Sequence, residues 1–208
     1  MPRKHRPLDR PDLNRDASLI VIASEDKYAV KEYFSLSLFE TTRVKVHVLE
    51  TEEGCSAPAA VVARLDAFRK MYATYEGDEF WLCIDTDHWA EPSHIANLKQ
   101  VLQLCRQKDY KVAISNPCFE LWLLLHFEDL VATDQLTARE LESRLKKLPG
   151  GYPNKSCAGL PFDNASVKTA VERAKSFDVN DPVIPDSPAT RVYKIIHALQ
   201  AKGAFDLA

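Results

Sequence analysis

The sequence lacks a long apolar run, a paired-cysteine pattern and an excess of positive charge. Its densest apolar stretch, residues 121–125, is far too short to span a membrane, and no apolar run follows the basic residues near the start, so we expect no membrane association and no secretory signal. Five cysteines stand at irregular spacing without a C-x-x-C pair, which disfavours a disulfide framework or a structural zinc site and favours a reducing cytoplasm. The net charge of −3 provides no global positive field, so a nucleic-acid partner would need local basic patches or metal ions.

The composition suits a globular α/β protein of 208 residues, with 46% hydrophobic and 27% charged residues. Residues 1–16 are polar and basic and contain proline, so we predict a flexible arm there. We predict an α/β core over residues 17–130 and a mainly helical C-terminal part, packed on that core, over residues 131–208.

Buried apolar runs alternate with amphipathic stretches along the core. Strands are predicted at 18–23, 43–49, 80–84 and 110–114, and helices at 27–39, 61–75, 92–105 and 117–127. Three further helices are predicted at 136–148, 166–176 and 190–200. This alternation indicates a mostly parallel sheet with helices on both faces. In the strand order 2-1-3-4, the first and third strands would be neighbours at the point where strand order reverses.

Three acidic residues directly follow buried strands. Glu25 follows the first strand, and Asp85 and Asp87 form a D-x-D pair after the third. Because ligands of open α/β sheets bind outside the carboxyl ends of the strands, we expect these carboxylates to converge although about sixty residues separate them. Oxygen ligands of this kind suit Mg²⁺, with Mn²⁺ as the alternative, and a bound cation could orient a water that attacks phosphorus.

A third polar element follows the fourth strand, in the segment from Ser115 to Phe127. Asn116 and Pro117 read as the N-cap and first residue of a strongly apolar helix. Glu120, about one turn into that helix, could bind metal, hold a water or simply favour the helix dipole. His126 is interpreted as a structural hydrogen-bonding residue or a pocket residue, and Trp122 as part of the core.

Basic residues are frequent in the C-terminal part, where they could form a phosphate-facing rim or a solvated helix surface. The strongest candidate is Lys155, in a loop rich in Gly, Pro and Asn, from which its ammonium group could reach the scissile phosphate. The full set is Arg139, Arg144, Lys146, Lys147, Lys155, Lys168, Arg173, Lys175, Arg191 and Lys194.

These motifs together resemble a known family. The turns at residues 22–25 and 84–87 look like the two motifs of Toprim domains, which occur in topoisomerases, primases and nucleases of the overcoming-lysogenization-defect class. The string at residues 115–127 (SNPCFELWLLLHF) and the segment at 188–192 (PATRV) look more specifically like the RloB-like family. The resemblance covers roughly residues 17–200.

The resemblance implies a Toprim-like fold and a metal-dependent nuclease, associated with phage defence and often encoded beside an ABC-type ATPase partner. It implies Glu25 as general acid/base or metal ligand, Asp85 and Asp87 as metal ligands, and Asn116 and Glu120 as further pocket residues. Two features depart from the Toprim pattern: Asp26-Lys27 stand where a Gly is common, and Trp89 replaces a third acid. One-metal catalysis is therefore the better expectation than two-metal catalysis.

Two other functions stay open from the sequence. A phosphohydrolase of the haloacid-dehalogenase type also uses D-x-D after a strand, with the first Asp as nucleophile, but usually on the first strand rather than the third. A non-catalytic sensor or adaptor could bind only the ATPase or a nucleic acid. The sequence does not distinguish DNA from RNA as substrate, and it leaves open whether the chain forms a homo-oligomer.

Overall fold

The structure, a computed structural model, describes residues 17–52, 56–87, 94–131, 136–178 and 181–204. The predicted N-terminal arm lies outside these residues, as do Cys55, Trp89 and the predicted helix start at Pro92. In the described part of the chain, no helix is long and apolar enough to cross a membrane.

The centre of the protein is one mixed sheet of five strands in the order β2-β1-β3-β4-β5. The first four strands pair in parallel, which confirms the predicted α/β class and the predicted order of these strands. The fifth was not predicted: it is two residues long and pairs antiparallel with the outer side of β4. The strands are β1 (Ser18–Ser24), β2 (Val44–Val48), β3 (Glu79–Asp85), β4 (Lys111–Asn116) and β5 (Ala189–Thr190).

Seven α-helices connect and cover these strands among the described residues: α1 (Ala29–Phe34), α2 (Pro58–Met71), α3 (Ile95–Gln107), α4 (Glu120–Leu125), α5 (Ala138–Leu145), α6 (Asn164–Phe177) and α7 (Tyr193–Ala201). Two of them begin with reciprocal capping boxes, formed by Thr137 with Glu140 and by Asp163 with Ser166. Such caps satisfy backbone N–H groups that a helix leaves without intrahelical partners.

Both faces of the sheet are covered, as the nearly continuous apolar strands predict. Alternate residues of β1 point to opposite sides, so Ile20 and Ile22 join one core while Leu19 and Val21 join the other. The first core is covered by α1 and by α4 to α7, and the second by α2 and α3. The C-terminal helices therefore share a core with the sheet.

Two predicted helices are shorter in the structure. The predicted helix at 27–39 is α1 followed by a 3₁₀ turn at Ser37–Phe39, which turns the chain so that Phe39 packs 5.3 Å from the Tyr33 ring. The helix predicted to reach Tyr75 ends at Met71, and Tyr75 is exposed. The Asp78 carboxylate accepts the backbone N–H of Tyr75, so this segment turns into β3 instead of extending the helix.

The predicted helix start at Asn116-Pro117 is wrong. Asn116 is the last residue of β4, the Asn116-Pro117 peptide is cis, and α4 begins only at Glu120. The Pro117 carbonyl accepts the backbone N–H groups of Thr86 and Asp87, so this segment binds the end of β3 instead of starting a helix. The Asn116 side-chain amide donates to the Pro185 carbonyl at 2.9 Å and caps no helix.

Arg191 fastens the loop that leads into β5. Its guanidinium group donates to both carboxylate oxygens of Asp178 and to the carbonyls of Pro182 and Val183. The side chains of Arg191 and Asp178 are 8% and 1% exposed, so this is a buried ion pair. Since the bond from Asn116 holds the same loop at Pro185, the loop is tied to the end of β4 and to the start of α7.

Candidate active site

The end of β1 carries two adjacent carboxylates. The backbone N–H of Glu25 donates to the Cys83 carbonyl at 3.3 Å, which holds the end of β1 against β3. The next residue, Asp26, accepts the backbone N–H groups of Tyr28 and Val30 at 2.8 and 3.2 Å. The Asp26 side chain thus caps the start of α1, and Glu25 is held in the short turn between strand and helix.

The D-x-D turn after β3 is held by the neighbouring strand. The Thr86 N–H donates to the carbonyls of Ser115 and Pro117, at 2.9 and 3.0 Å, and the Asp87 N–H donates to Pro117 at 3.1 Å. Thr86 is buried, whereas Asp87 is exposed and Asp85 is partly buried. The backbone of this turn is therefore fixed while both carboxylates remain at the surface of the pocket.

Glu120 is held in the pocket by a hydrogen bond from Tyr152. It is the first residue of α4, is 8% exposed, and accepts the phenol O–H of Tyr152 at 3.1 Å. Tyr152 begins the loop that carries Lys155, and it is 1% exposed. Glu32 on α1 fastens the far side of this loop by accepting the Ser156 hydroxyl and the Cys157 N–H at 2.9 and 2.8 Å.

One cavity of about 450 Å³ brings these elements together. Five predicted site residues line it: Glu25, Asp85, Asp87, Glu120 and Lys155. These side chains lie far apart in the chain and meet at the carboxyl ends of the parallel strands, as the strand order requires. The remaining lining residues are Asp26, Lys27, Tyr28, Ser56, Cys118, Ala138, Arg139 and Glu142.

The cavity is acidic, since six carboxylate side chains and three basic ones line it. Burial raises the pKa of Asp85 well above its usual range, and the nearby charges of Glu25, Glu120, Asp87 and Asp26 raise it further. Burial also raises the pKa of Asp26, although the backbone N–H groups that donate to its carboxylate lower it. The pKa of the Tyr152 phenol is raised by burial and by Glu120, so this group stays protonated and serves as a hydrogen-bond donor.

The donor set fits a hard divalent cation. The acids that converge offer oxygen ligands, which Mg²⁺ and Mn²⁺ prefer, and their mutual repulsion would be relieved by positive charge. Within the described ranges, no three His, Cys, Asp or Glu side chains form a ready-made metal site. Mg²⁺ commonly takes only one or two protein carboxylates, with water and substrate phosphates as the other ligands, so Asp85 and Asp87 would suffice. The assignment of Glu25, Asp85 and Asp87 as joint ligands stays a prediction.

Two other predicted site residues do not line this cavity. Asn116 binds the Pro185 carbonyl, as described above. His126 is 4% exposed, and its ring nitrogens pair with the Tyr33 hydroxyl at 3.0 Å and the Trp122 carbonyl at 2.9 Å. The structure thus gives His126 the structural role, and Trp122 lies fully buried in the core as predicted.

The predicted basic rim divides into two groups. Arg139 and Lys155 line the cavity, and both are exposed. In contrast, Arg144 pairs with Glu128, and Arg191 pairs with Asp178, away from the cavity lining. Three basic residues therefore line the cavity, Lys27, Arg139 and Lys155, and Lys27 was not among the predicted basic residues.

Arg64 on α2 is a positioning residue that the sequence analysis missed. Its guanidinium group donates to the Ser24 carbonyl, to the Glu50 carbonyl at 2.9 Å and to the Thr51 hydroxyl at 2.6 Å. Arg64 thereby joins the end of β1, where Ser24 immediately precedes Glu25, to the segment that follows β2. The only signal in the sequence is a charged residue between Val61 and Leu65 of the apolar face, which is weak evidence.

Fold and site together define an α/β protein with an acidic pocket at the carboxyl ends of its parallel strands. Residues 20–199 match the family described as RloB-like protein, and the chain belongs to this family. The suspected family is thereby confirmed over most of the chain. No curated protein and no solved structure matches the sequence.

Proposed function

We propose that this protein is a Mg²⁺-dependent nuclease of the Toprim type. The observation that carries the proposal is the meeting of Glu25, Asp85, Asp87 and Glu120 in one cavity, with Lys155 on its rim. A polyanionic substrate would be repelled by so many carboxylates unless a divalent cation lay between them. Acidity of this kind therefore supports a metal-dependent reaction at phosphate.

Each of the five predicted site residues in the pocket has a task in the proposed hydrolysis. The carboxylates of Asp85 and Asp87 hold the cation, and Glu25 accepts a proton from the attacking water. Lys155 binds the phosphate whose P–O bond breaks, and Glu120, held by Tyr152, orients water in the pocket. The bound cation would neutralise the phosphate and stabilise the leaving oxygen. The products are one strand end with a phosphate and one with a hydroxyl group.

The biological setting of the proposal comes from the family resemblance. RloB-like proteins are associated with phage defence and with a neighbouring ABC-type ATPase, so we propose that this chain is the effector of such a pair. The ATPase would then control when the pocket acts on nucleic acid. This dependence makes it necessary to test the protein both alone and with its partner.

The test is cleavage of DNA and RNA pools with Mg²⁺, with Mn²⁺ and with EDTA, in the presence and absence of the ATPase and ATP. Cleavage should require the divalent cation, and Asp85→Asn or Asp87→Asn should reduce it more than about 100-fold, the loss expected when a metal site is disrupted. Asp109→Asn is the matched control. Asp109 is exposed just before β4, at the amino ends of the strands and thus opposite the pocket, and its φ of 57° suits Asn.

Three results would contradict the proposal. Cleavage at the wild-type rate by both Asp85→Asn and Asp87→Asn would show that the pocket is not the active site. A covalent phosphate trapped on Asp85 would instead indicate a haloacid-dehalogenase-type phosphohydrolase. Metal-independent binding of nucleic acid or of the ATPase, without turnover in the complete system, would identify a sensor or adaptor.

A further inference from the structure

An exposed aromatic side chain lies beside the acidic pocket. Tyr28 is 48% exposed and lines the pocket together with Lys27. Its backbone is fixed, because its N–H donates to Asp26 at 2.8 Å and its carbonyl accepts the Glu32 N–H at 2.8 Å. Tyr28 therefore presents a large ring to solvent from a fixed turn, three residues after Glu25, which we propose as catalytic.

The pocket continues past Tyr28 along α1. A second cavity of about 450 Å³ shares Lys27 and Tyr28 with the pocket and extends to Lys31 and Ser35. A third, of about 350 Å³, shares Lys31 and Ser35 with the second and ends at β2. We call this series of adjoining cavities, marked by Lys27, Tyr28, Lys31 and Ser35, the α1 groove. Its cavities adjoin through shared lining residues, and the acidic pocket is the first of them.

The charges of the α1 groove suit a phosphate backbone beside a stacked base. The Lys27 ammonium lies 5.4 Å from the centre of the Tyr28 ring, and Lys31 pairs with Glu50 at 2.9 Å. Both side chains of that pair are exposed, and such surface pairs contribute little, so Lys31 can exchange Glu50 for phosphate. Glu32 is the other acid of the groove, and it is already engaged by the loop that carries Lys155.

We infer that the substrate is a single-stranded nucleic acid, with one base stacked on Tyr28 and its backbone following Lys27 and Lys31 into the pocket. This inference rests on the proposed nuclease function. Aromatic side chains combined with cations are the usual means of binding single strands, since every base has a π-face that can stack on an aromatic ring. Bases in a duplex are stacked within their own strand, so they cannot use the Tyr28 ring without being flipped out.

The test measures binding separately from cleavage. Labelled oligonucleotides of one sequence, as single-stranded DNA, single-stranded RNA and duplex DNA, are titrated with the full chain carrying Asp85→Asn, and binding is followed by fluorescence anisotropy. Adding Tyr28→Ala should weaken single-strand binding about 10-fold, the loss of one base–aromatic stack, and leave duplex binding unchanged. Tyr28→Phe should keep the affinity. The control is Tyr75→Ala, which removes another exposed tyrosine (65%) from before β3.

The outcomes separate the two proposals. Single-strand affinity that survives Tyr28→Ala, or tighter binding of the duplex than of either single strand, would refute single-strand binding in the α1 groove. Neither result would bear on whether Asp85→Asn abolishes cleavage. Undiminished cleavage by the Asp85 and Asp87 variants overturns the assignment of the active site to the acidic pocket, whatever Tyr28 does. With a sequence that contains neither thymine nor uracil, the DNA and RNA single strands differ only in the sugar, so unequal binding of them shows which sugar the groove prefers.

Discussion

His126 should make the protein lose stability in mild acid. Its ring lies among the rings of Tyr33, Trp122 and Phe162, at centroid distances of 5.4, 4.9 and 4.9 Å. A carbonyl can only accept, so Nδ1 carries the proton and donates to Trp122, while Nε2 accepts the Tyr33 hydroxyl. The ring is thus fully hydrogen-bonded in its neutral form, and burial lowers its pKa from 6.5 to about 3.

The sign and size of the effect follow from proton linkage. Because the folded state disfavours the protonated ring, the unfolded chain binds more protons below pH 6.5, and stability falls as the pH falls from 6.5 towards about 3. Between about pH 7.5 and about pH 5, this one group should reduce the free energy of unfolding by about 2 kcal/mol. That is a large part of the stability of an ordinary domain.

The assay is urea unfolding of the wild type and His126→Gln at both pH values. The difference between their pH dependences isolates His126, because acids such as Asp85, whose pKa is raised, change stability in the opposite direction and are present in both proteins. The His126 ring should also keep its neutral NMR signature throughout the folded range. A ring that titrates near pH 6.5 in the folded protein, or equal pH dependence of the two proteins, would refute the reasoning.

Three further changes test the pocket and its supports by urea unfolding. In EDTA near pH 7, Asp85→Asn should raise the unfolding midpoint because it removes one of several mutually repelling charges, whereas the control Asp109→Asn should not. Added Mg²⁺ should stabilise the wild type more than it stabilises Asp85→Asn. Tyr152→Phe removes the donor to a buried carboxylate and should cost about 1–3 kcal/mol. Arg191→Ala takes the two-pronged guanidinium contact from the buried Asp178, which keeps the Tyr193 hydroxyl and the more distant Lys194, and should cost about 3–5 kcal/mol. Lys at position 191 should recover only part of this, because it cannot form the two-pronged contact.

Each of these tests has a contrary outcome. A lower midpoint for Asp85→Asn would mean that its carboxylate is stabilising without metal, and equal Mg²⁺ effects on both proteins would place the cation elsewhere. A neutral Tyr152→Phe would mean that water replaces the phenol. A change below about 1 kcal/mol for Arg191→Ala would mean that the loop before β5 does not need its guanidinium group.

The central strands and the site at their ends were predictable because their signals are local. Residues 19–23 are apolar at every position, which is typical of a strand covered on both faces, and acids that directly follow such a strand lie at its carboxyl end. The parallel order then brings Glu25 to Asp85 without further information. Lys155 could be selected because it is a cation in a loop beside turn-forming residues.

The rest depended on contacts between distant segments. The pair Asn116-Pro117 carries the local pattern of a helix start, but the Pro117 carbonyl is taken by the turn after β3, an interaction that no window of sequence contains. β5 is two residues long and gains its partners only from β4. Arg64 looks like any charged residue of an amphipathic helix, and its role depends on the carbonyls of Ser24 and Glu50, 40 and 14 residues away in the sequence.

The antiparallel strand β5 has a consequence for where the chain can be shortened. A fragment ending near residue 130 would retain Glu25, Asp85, Asp87 and Glu120, yet the last two residues of β4, Ser115 and Asn116, would lose their antiparallel partner strand and could pair with other molecules. It would also uncover α4, whose residues from Glu120 to Leu125 are all buried. The smallest autonomous unit should therefore extend through α7, and shorter pieces should precipitate.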